Sequence, residues 1–231
     1  MIAERVAAVR DRIARAAARA GRDPQDVTLV AVSKTQPAEV VREAFRAGLR
    51  TFGENRVQEA EAKAASLHDL GASGLEWHLV GHLQANKAKK ASLFELIHSV
   101  DSTELGQRLA RLGAQEGRTV RALVQVDLAG EETKFGIPEA KLLSALESLR
   151  PLEGLRIDGL MILPPLFEDP EGTRPFFRRL RDLAGQARRD GLLAKGALSM
   201  GMSHDFEVAI EEGATLVRVG TAIFGERLPR A

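Results

Sequence analysis

The sequence predicts an α/β protein built as a single (β/α)8 barrel with an additional helix at its N-terminus. Apolar segments rich in β-branched residues alternate with helix-like segments along the whole chain, and eight such strand candidates can be counted. The length of 231 residues suits one barrel. An open parallel sheet of six or seven strands is the alternative, because short strand predictions often fail. The sequence shows no linker and no low-complexity tract, so residues 1–231 are predicted to form one domain.

The elements follow in order from the N-terminus. The amphipathic segment AERVAAVRDRIARAAARAG ends in Gly21, as a helix with a glycine C-cap would. It is rich in arginine, but it carries acidic residues and no serine, which favours a packed or partner-facing helix over a transit peptide. The strand candidates are 27–34, 49–55, 76–82, 96–102, 121–128, 156–163, 197–202 and 216–225. The helix candidates between them are 38–48, 56–70, 84–92, 103–117, 138–149, 173–191 and 205–214.

Composition excludes several classes of function. The net charge of +1 provides no global field that would attract nucleic acid or an anionic membrane surface. The chain has no cysteine, which rules out disulfides, thiolate chemistry and cysteine metal sites. No apolar stretch approaches the roughly 20 residues of a bilayer span. We therefore expect a cytoplasmic protein that binds neither nucleic acid nor membranes.

Lys34 is the most informative residue of the sequence. It is one of only eight lysines, against 25 arginines, and it stands at the end of the apolar run VTLVAVSK. In a barrel, functional groups lie at the carboxyl ends of the strands. A desolvated amine at such a place can form a Schiff base. A charge that reaches solvent or pairs with a carboxylate is the alternative, and the local sequence leaves both open.

Other strand ends supply polar groups to the same mouth. The SMGMSHD segment after the seventh strand (Ser199–Asp205) and the RVGT segment in the eighth (Arg218–Thr221) contain glycines and hydroxyls. In barrels these two loops often form a phosphate site, here beside a helix that we expect to begin near Ser203 to Asp205. The alternative is that these glycines only make turns.

No metal site is predicted. His78 and His82 are four residues apart, but in a strand this spacing separates them by about 13 Å, so they cannot share one ion. A structural or hydrogen-bonding role is expected for each histidine. Glu131 and Glu132 could suggest an acid and base pair, yet neighbouring side chains diverge and their segment is typical of an exposed loop.

Together these motifs resemble the pyridoxal phosphate homeostasis protein family, whose members are similar to the N-terminal barrel of alanine racemase. The resemblance covers nearly the whole chain and rests on LVAVSKTQP, FGENRVQE, WHLVGHLQANK, AGEETKFGI, GLMILPP, LSMGMSHDFEVAI and VRVGTAIFGER. It implies a fold-type III barrel that binds pyridoxal 5′-phosphate (PLP). Two residues depart from the family pattern, Asp127 where asparagine is common and Phe135 where a smaller or more polar residue is usual.

The resemblance also implies roles for individual residues. Lys34 would form the Schiff base with PLP, and Arg218 would face its pyridine nitrogen. Asn55 would lie near the ring. The residues that would cradle the phosphate are Ser199, Met200, Gly201, Ser203, Gly220 and Thr221. A cation at the pyridine nitrogen keeps that nitrogen unprotonated and weakens the ring as an electron sink, which suits restrained chemistry.

The sequence leaves two leading hypotheses about function and a third alternative. Racemisation needs an acid/base group on each face of the substrate, and in alanine racemase the second is a tyrosine from the partner subunit. This chain has no tyrosine, although His82 or His204 could substitute. We therefore favour a PLP-binding protein with no catalytic residue, which maintains PLP levels as a monomer or weak dimer and has apo PLP-dependent enzymes as its candidate partners. A PLP-dependent racemase is the alternative, and a Schiff-base aldolase without PLP is the third.

Overall fold

The computed structural model of the chain describes residues 1–130, 135–193 and 195–225. Its strands are β1 (Thr28–Val32), β2 (Thr51–Glu54), β3 (Glu76–Leu79), β4 (Leu96–Val100), β5 (Val120–Asp127), β6 (Ile137–Pro138), β7 (Leu155–Met161), β8 (Ala197–Met202) and β9 (Leu216–Val219). Eight of them form a ring in the order β4-β3-β2-β1-β9-β8-β7-β5, which the pairing of β4 with β5 closes. The short β6 pairs with β5 outside this ring. The predicted (β/α)8 barrel is confirmed, and the open sheet is wrong.

Helices cover the outside of the barrel. They are α1 (Ile2–Arg19), α2 (Ala38–Arg46), α3 (Val57–Ser66), α4 (His68–Gly71), α5 (Thr103–Gln115), α6 (Leu142–Leu149), α7 (Arg174–Arg189), α8 (Phe206–Glu211) and α9 (Thr221–Phe224). Shorter 3-10 helices span Pro24–Asp26, Ala85–Leu93, Glu139–Lys141 and Pro170–Thr173. Among the residues that the structure describes, no helix combines the length and the hydrophobicity that a membrane span requires.

The additional N-terminal helix is present and packed. Its buried side chains are Val6, Val9, Ile13, Ala16 and Ala17, and α1 lies against α2, α8 and α9. Gly21 follows the helix with φ of 64°, the left-handed conformation that a glycine adopts at low cost after a helix end. The prediction of a packed helix ending at this glycine is therefore confirmed.

Side chains alternate between the two faces of the barrel wall. The interior holds a small apolar cluster with one member each from five strands and one, Val80, from just after β3: Val30, Val80, Leu96, Leu123, Met161 and Leu216. Residues next to these in sequence, such as Ala31, Ile97 and Val217, instead join the large core between the strands and the helices. This period of two is the property of a strand, and it decides which strand-end residues can reach the barrel interior.

Three predicted elements differ from the structure in kind or extent. The helix predicted at 56–70 is interrupted at Leu67, between α3 and α4. The strand predicted at 216–225 ends at Val219 and gives way to α9, because the backbone N–H groups of Gly220 and Ala222 donate to the side-chain oxygen Oγ of Ser203. The helix predicted at 84–92 is a 3-10 helix, Ala85–Leu93. Its buried positions Ala88 and Ala91 are three residues apart, the spacing at which side chains align in that helix.

Candidate functional site

Lys34 lies at the carboxyl end of β1, beside the end of β9. The two strands are in register with Ala31 opposite Val219, so Val32 lies beside Gly220. A Cβ atom on Gly220 would be 3.3 Å from the Val32 carbonyl oxygen, which shows how closely the two strands approach. Lys34 is half-buried and two residues closer to the mouth. The structure therefore brings the lysine and the Gly220–Thr221 segment to one edge of the barrel.

Hydrogen bonds attach the turn that carries Lys34 to three charged residues and a serine, which we call the Lys63 cluster (Ser33, Glu54, Glu59 and Lys63). Lys63 Nζ is 2.7 Å from each of three oxygens: the backbone oxygen of Ser33 and one carboxylate oxygen each of Glu54 and Glu59. Beyond the lysine, Thr35 has φ of 65°, and its N–H donates to Glu59 Oε1 at 2.5 Å. Both neighbours of Lys34 are thereby attached to one cluster.

Three members of the Lys63 cluster, Ser33, Glu54 and Lys63, are buried, and the cluster carries its own compensating charges. The side chain of Glu54 is fully buried, accepts a hydrogen bond from the Ser33 hydroxyl at 2.6 Å, and pairs with Lys63. Burial raises the pKa of Glu54, and its bonds to Lys63 and Ser33 oppose that rise. The second oxygen, Oε2, has no hydrogen-bond partner among the described residues. This cluster was not predicted from the sequence, although Glu59 and Lys63 have the i, i+4 spacing of a helical ion pair.

Arg218 is a second buried cation, and it lies inside the barrel. Its side chain donates to the Ser199 hydroxyl at 2.5 Å and to the Ile162 carbonyl at 2.8 Å. Burial lowers the pKa of Arg218 to about 10, against a smaller opposing effect of Asp205, so the guanidinium stays charged at neutral pH. Within the described residues it donates to no carboxylate. A buried cation with only neutral acceptors is costly to maintain, which points to a ligand.

The segment predicted to bind phosphate contains hydroxyl and amide groups at the ends of β8 and β9. Ser203 Oγ accepts the N–H groups of Gly220 at 3.2 Å and Ala222 at 3.4 Å. Gly201 has φ of 88°, and a Cβ there would lie 2.6 Å from the Cβ of Ala209, so a larger residue would not fit. Loop β8–α8 therefore comes close to the end of β9 and is held there.

The remaining predicted residues differ in where they lie. Asn55 follows β2, the neighbour of β1, and packs against Gly81, where a Cβ would be 2.3 Å from the Asn55 carbonyl oxygen. Thr221 is exposed at the start of α9. Met200, by contrast, points outward into the large core and is fully buried. Only the backbone of Met200 is available to a ligand in the barrel.

The two histidines considered as a metal pair have separate hydrogen-bonding partners, as predicted. His78 Nδ1 lies 2.9 Å from Nε2 of His98, inside the barrel. His82 Nδ1 lies 2.7 Å from a carboxylate oxygen of Asp101 and its ring stacks on Phe135. In the part of the chain that the structure describes, no three histidine or acidic side chains are grouped to hold a metal ion. Glu131 and Glu132 lie outside the described residues.

Comparison with protein families identifies the chain's relatives. The family model for the alanine racemase N-terminal domain matches residues 5–228. The pyridoxal phosphate homeostasis protein of Aquifex aeolicus is 45% identical over 225 residues, which are 97% of each chain. The protein of the same name from Escherichia coli K12 is 41% identical over 98% of this chain and 97% of its own.

Solved structures agree with this assignment. PipY from Synechococcus elongatus, in a structure with PLP bound, is 44% identical and superposes with a TM-score of 0.86 over 97% of this chain and 100% of PipY. Alanine racemase from Corynebacterium glutamicum is 19% identical, with a TM-score of 0.68 over 94% of this chain and 61% of the racemase, and shares the fold. The chain belongs to the alanine racemase N-terminal domain family and, within it, to the pyridoxal phosphate homeostasis proteins.

Proposed function

We propose that this chain binds PLP as a Schiff base on Lys34 and maintains the intracellular supply of PLP without catalysing a reaction of its own. The observation that carries the proposal is Arg218, a buried cation bonded only to neutral groups, beneath the mouth where Lys34 lies. The PLP-bound structure of PipY and the name shared by the curated relatives support the same cofactor.

The residues present fit the chemistry of PLP. When bound, PLP supplies an aldehyde that condenses with a lysine amine, so that a C=N bond forms and one water leaves. Lys34 would supply the neutral amine. Ser203 would offer its hydroxyl hydrogen, and Thr221 and Gly201 their backbone N–H groups, to a phosphate. Gly220, whose N–H donates to Ser203 Oγ, would hold that hydroxyl in place. Asn55, on the neighbouring strand, would border the ring.

Arg218 would restrain the chemistry of the site. A guanidinium only donates hydrogen bonds and keeps its protons at neutral pH, so it can bond to the lone pair of a pyridine nitrogen but does not transfer a proton to it. The nitrogen would stay neutral, and carbanions would gain little stabilisation from the ring. Such a site holds the cofactor better than it activates amino acids.

A PLP-dependent racemase is the second candidate, because the family model is that of alanine racemase. A racemase needs acid/base groups on both faces of its substrate. The chain has no tyrosine, and the ring of His82 is already bonded to Asp101 and stacked on Phe135. We therefore favour binding and delivery, with apo PLP-dependent enzymes in the cytoplasm as recipients.

Borohydride reduction followed by peptide mass spectrometry tests the proposal directly. Reduction of the PLP-treated protein is expected to abolish its visible absorbance band and leave a phosphopyridoxyl group on Lys34. The variant Lys34→Ala should show neither, whereas Lys90→Ala, which removes an exposed lysine paired with Glu61, should behave as wild type. An adduct on another lysine, or racemisation of alanine at ordinary enzymic turnover, would contradict it.

A further inference from the structure

Four polar side chains form a continuous row through the interior of the barrel. His78 of β3 contacts His98 of β4 at 2.9 Å, His98 Nδ1 contacts Ser199 Oγ of β8 at 2.8 Å, and Ser199 Oγ contacts Arg218 of β9 at 2.5 Å. All four residues are at most 5% exposed. Strands β4 and β8 are not neighbours in the ring, so the contact between His98 and Ser199 crosses the barrel.

The hydrogen-bond donors in this row can be assigned from its ends. Arg218 can only donate, so Ser199 Oγ accepts from it. The Ser199 hydroxyl has one hydrogen, and among the described residues its other partner is Nδ1 of His98. If His98 donated instead, that hydrogen would be buried without an acceptor, which is costly. His98 Nδ1 is therefore the acceptor, and its proton is on Nε2.

The same logic extends to His78. A neutral imidazole carries one proton, so His98 donates from Nε2 to Nδ1 of His78. Burial lowers the pKa of His78 to about 3, and burial together with the charge of Arg218 lowers that of His98, so both rings are neutral at physiological pH. Every hydrogen of the row then points away from Arg218.

This direction has a consequence for the guanidinium. A serine hydroxyl rotates freely unless its hydrogen has an acceptor. His98 provides that acceptor, so a lone pair of Ser199 Oγ stays turned to Arg218. The carbonyl of Ile162 holds the other Nη nitrogen at 2.8 Å, and two bonds to different nitrogens fix the plane of the group.

We propose that His98 is a positioning residue, which acts through Ser199 to orient the Arg218 guanidinium and whose own tautomer is held by His78. The role toward the cofactor rests on the proposed function, because there Arg218 faces the pyridine nitrogen. The orientation of Arg218 itself belongs to the protein without PLP and can be measured in it.

Nitrogen NMR of the PLP-free protein tests the positioning. We expect His98 and His78 to carry their protons on Nε2 at pH 7, and the Nη resonances of Arg218 to be resolved because its rotation is slow. His98→Leu should merge those resonances. His98→Asn should keep the resonances apart. Asparagine is close to leucine in size, but its side-chain oxygen can still accept a hydrogen bond from Ser199. His68→Asn, a substitution of an exposed histidine, serves as the control.

The loaded protein provides a second readout. His98→Leu should release PLP roughly tenfold faster and shift its visible absorbance band, and His98→Asn should change both by much less. A proton on Nδ1 of His98, or Arg218 resonances that His98→Leu leaves unchanged, would overturn the inference. If His98→Leu fails to fold, the wild-type tautomers and His98→Asn still decide it.

The outcomes separate this inference from the proposed function. If Lys34 takes no PLP but the tautomers and the Arg218 rotation are as expected, the proposed function fails and the positioning stands. If Lys34 is labelled and Arg218 is indifferent to His98→Leu, the positioning fails and PLP binding stands.

Discussion

The barrel wall separates two buried cations that are compensated in opposite ways. Lys63 lies outside the wall, on α3, and pairs with the carboxylates of Glu54 and Glu59 at 2.7 Å. Arg218 lies inside the wall and bonds only to a hydroxyl and a carbonyl, with neutral histidines behind them. Lys63 is hydrogen-bonded to its carboxylates, whereas the carboxylate of Asp205 raises the pKa of Arg218 only from a longer distance, with no hydrogen bond to it among the described residues.

From this difference we infer that the Lys63 cluster is structural and that Arg218 serves the ligand binding proposed above. Removing one partner of a buried ion pair lowers the free energy of unfolding by several kcal/mol, because the other charge is left unpaired. A buried cation with no carboxylate within hydrogen-bonding distance recovers less of its desolvation cost, and a suitable acceptor that binds there lowers that cost. We therefore expect the Lys63 cluster to support the Lys34 turn and Arg218 to contribute mainly to binding.

The largest expected effect comes from removing each cation in turn. Lys63→Met should lower the free energy of unfolding of the PLP-free protein by about 3–5 kcal/mol, because it strands the buried carboxylate of Glu54. Arg218→Met should cost less than about 2 kcal/mol, since the loss of two hydrogen bonds is offset by removal of a buried charge that is not hydrogen-bonded to a carboxylate. Urea unfolding at pH 7.5 measures both values.

PLP titration of the same two variants completes that comparison. Arg218→Met should lose most of the stabilisation that added PLP provides, whereas any Lys63→Met protein that folds should retain it. Equal destabilisation by the two substitutions without PLP would show that the two cations are not compensated differently.

A second effect, smaller for each residue, is the response to acid. The pKa of His78 is lowered to about 3, and that of His98 also lies below its ordinary value. As the pH falls below about 6.5, both histidines therefore become protonated in the unfolded chain while they stay neutral in the folded protein. Stability is therefore full above about pH 6.5 and declines as the pH falls toward 3. Between pH 7 and pH 5 each histidine should cost about 2 kcal/mol.

The histidine variants isolate this contribution. Urea unfolding of His98→Asn should show a loss between pH 7 and pH 5 that is smaller than that of wild type by about 2 kcal/mol. The exposed His68→Asn should lose as much as wild type. An unchanged loss in His98→Asn would mean that the imidazole is protonated as easily in the barrel as in water.

Only part of the two sites could be predicted from the sequence. Strand periodicity placed Lys34 at the carboxyl end of the first strand and Ser199 and Arg218 in the last two strands, where the structure has them. The strand predicted at 216–225 ran too long, since nothing local reveals that Ser203 captures the N–H of Gly220. The row from His78 to Arg218 was missed because its contacts cross the barrel between distant segments.

The smallest effect concerns Glu59, the link between the Lys63 cluster and the Lys34 turn. Its carboxylate pairs with buried Lys63 and accepts the N–H of Thr35, but its side chain is 25% exposed, so solvent screens part of the interaction. Glu59→Gln should lower the free energy of unfolding by about 1 kcal/mol. It should also slow the reaction of Lys34 with PLP, because the turn is held less firmly.

Glu61→Gln is the matched control, since Glu61 is on the same helix and pairs with Lys90, whose side chain is 56% exposed. The same chemical change there should cost at most about 0.5 kcal/mol and leave the rate at Lys34 unaltered. The two variants differ mainly in whether the lysine partner is buried. If Glu59→Gln is no more costly than Glu61→Gln, the second carboxylate is not needed to neutralise Lys63, and Glu54 alone compensates that charge.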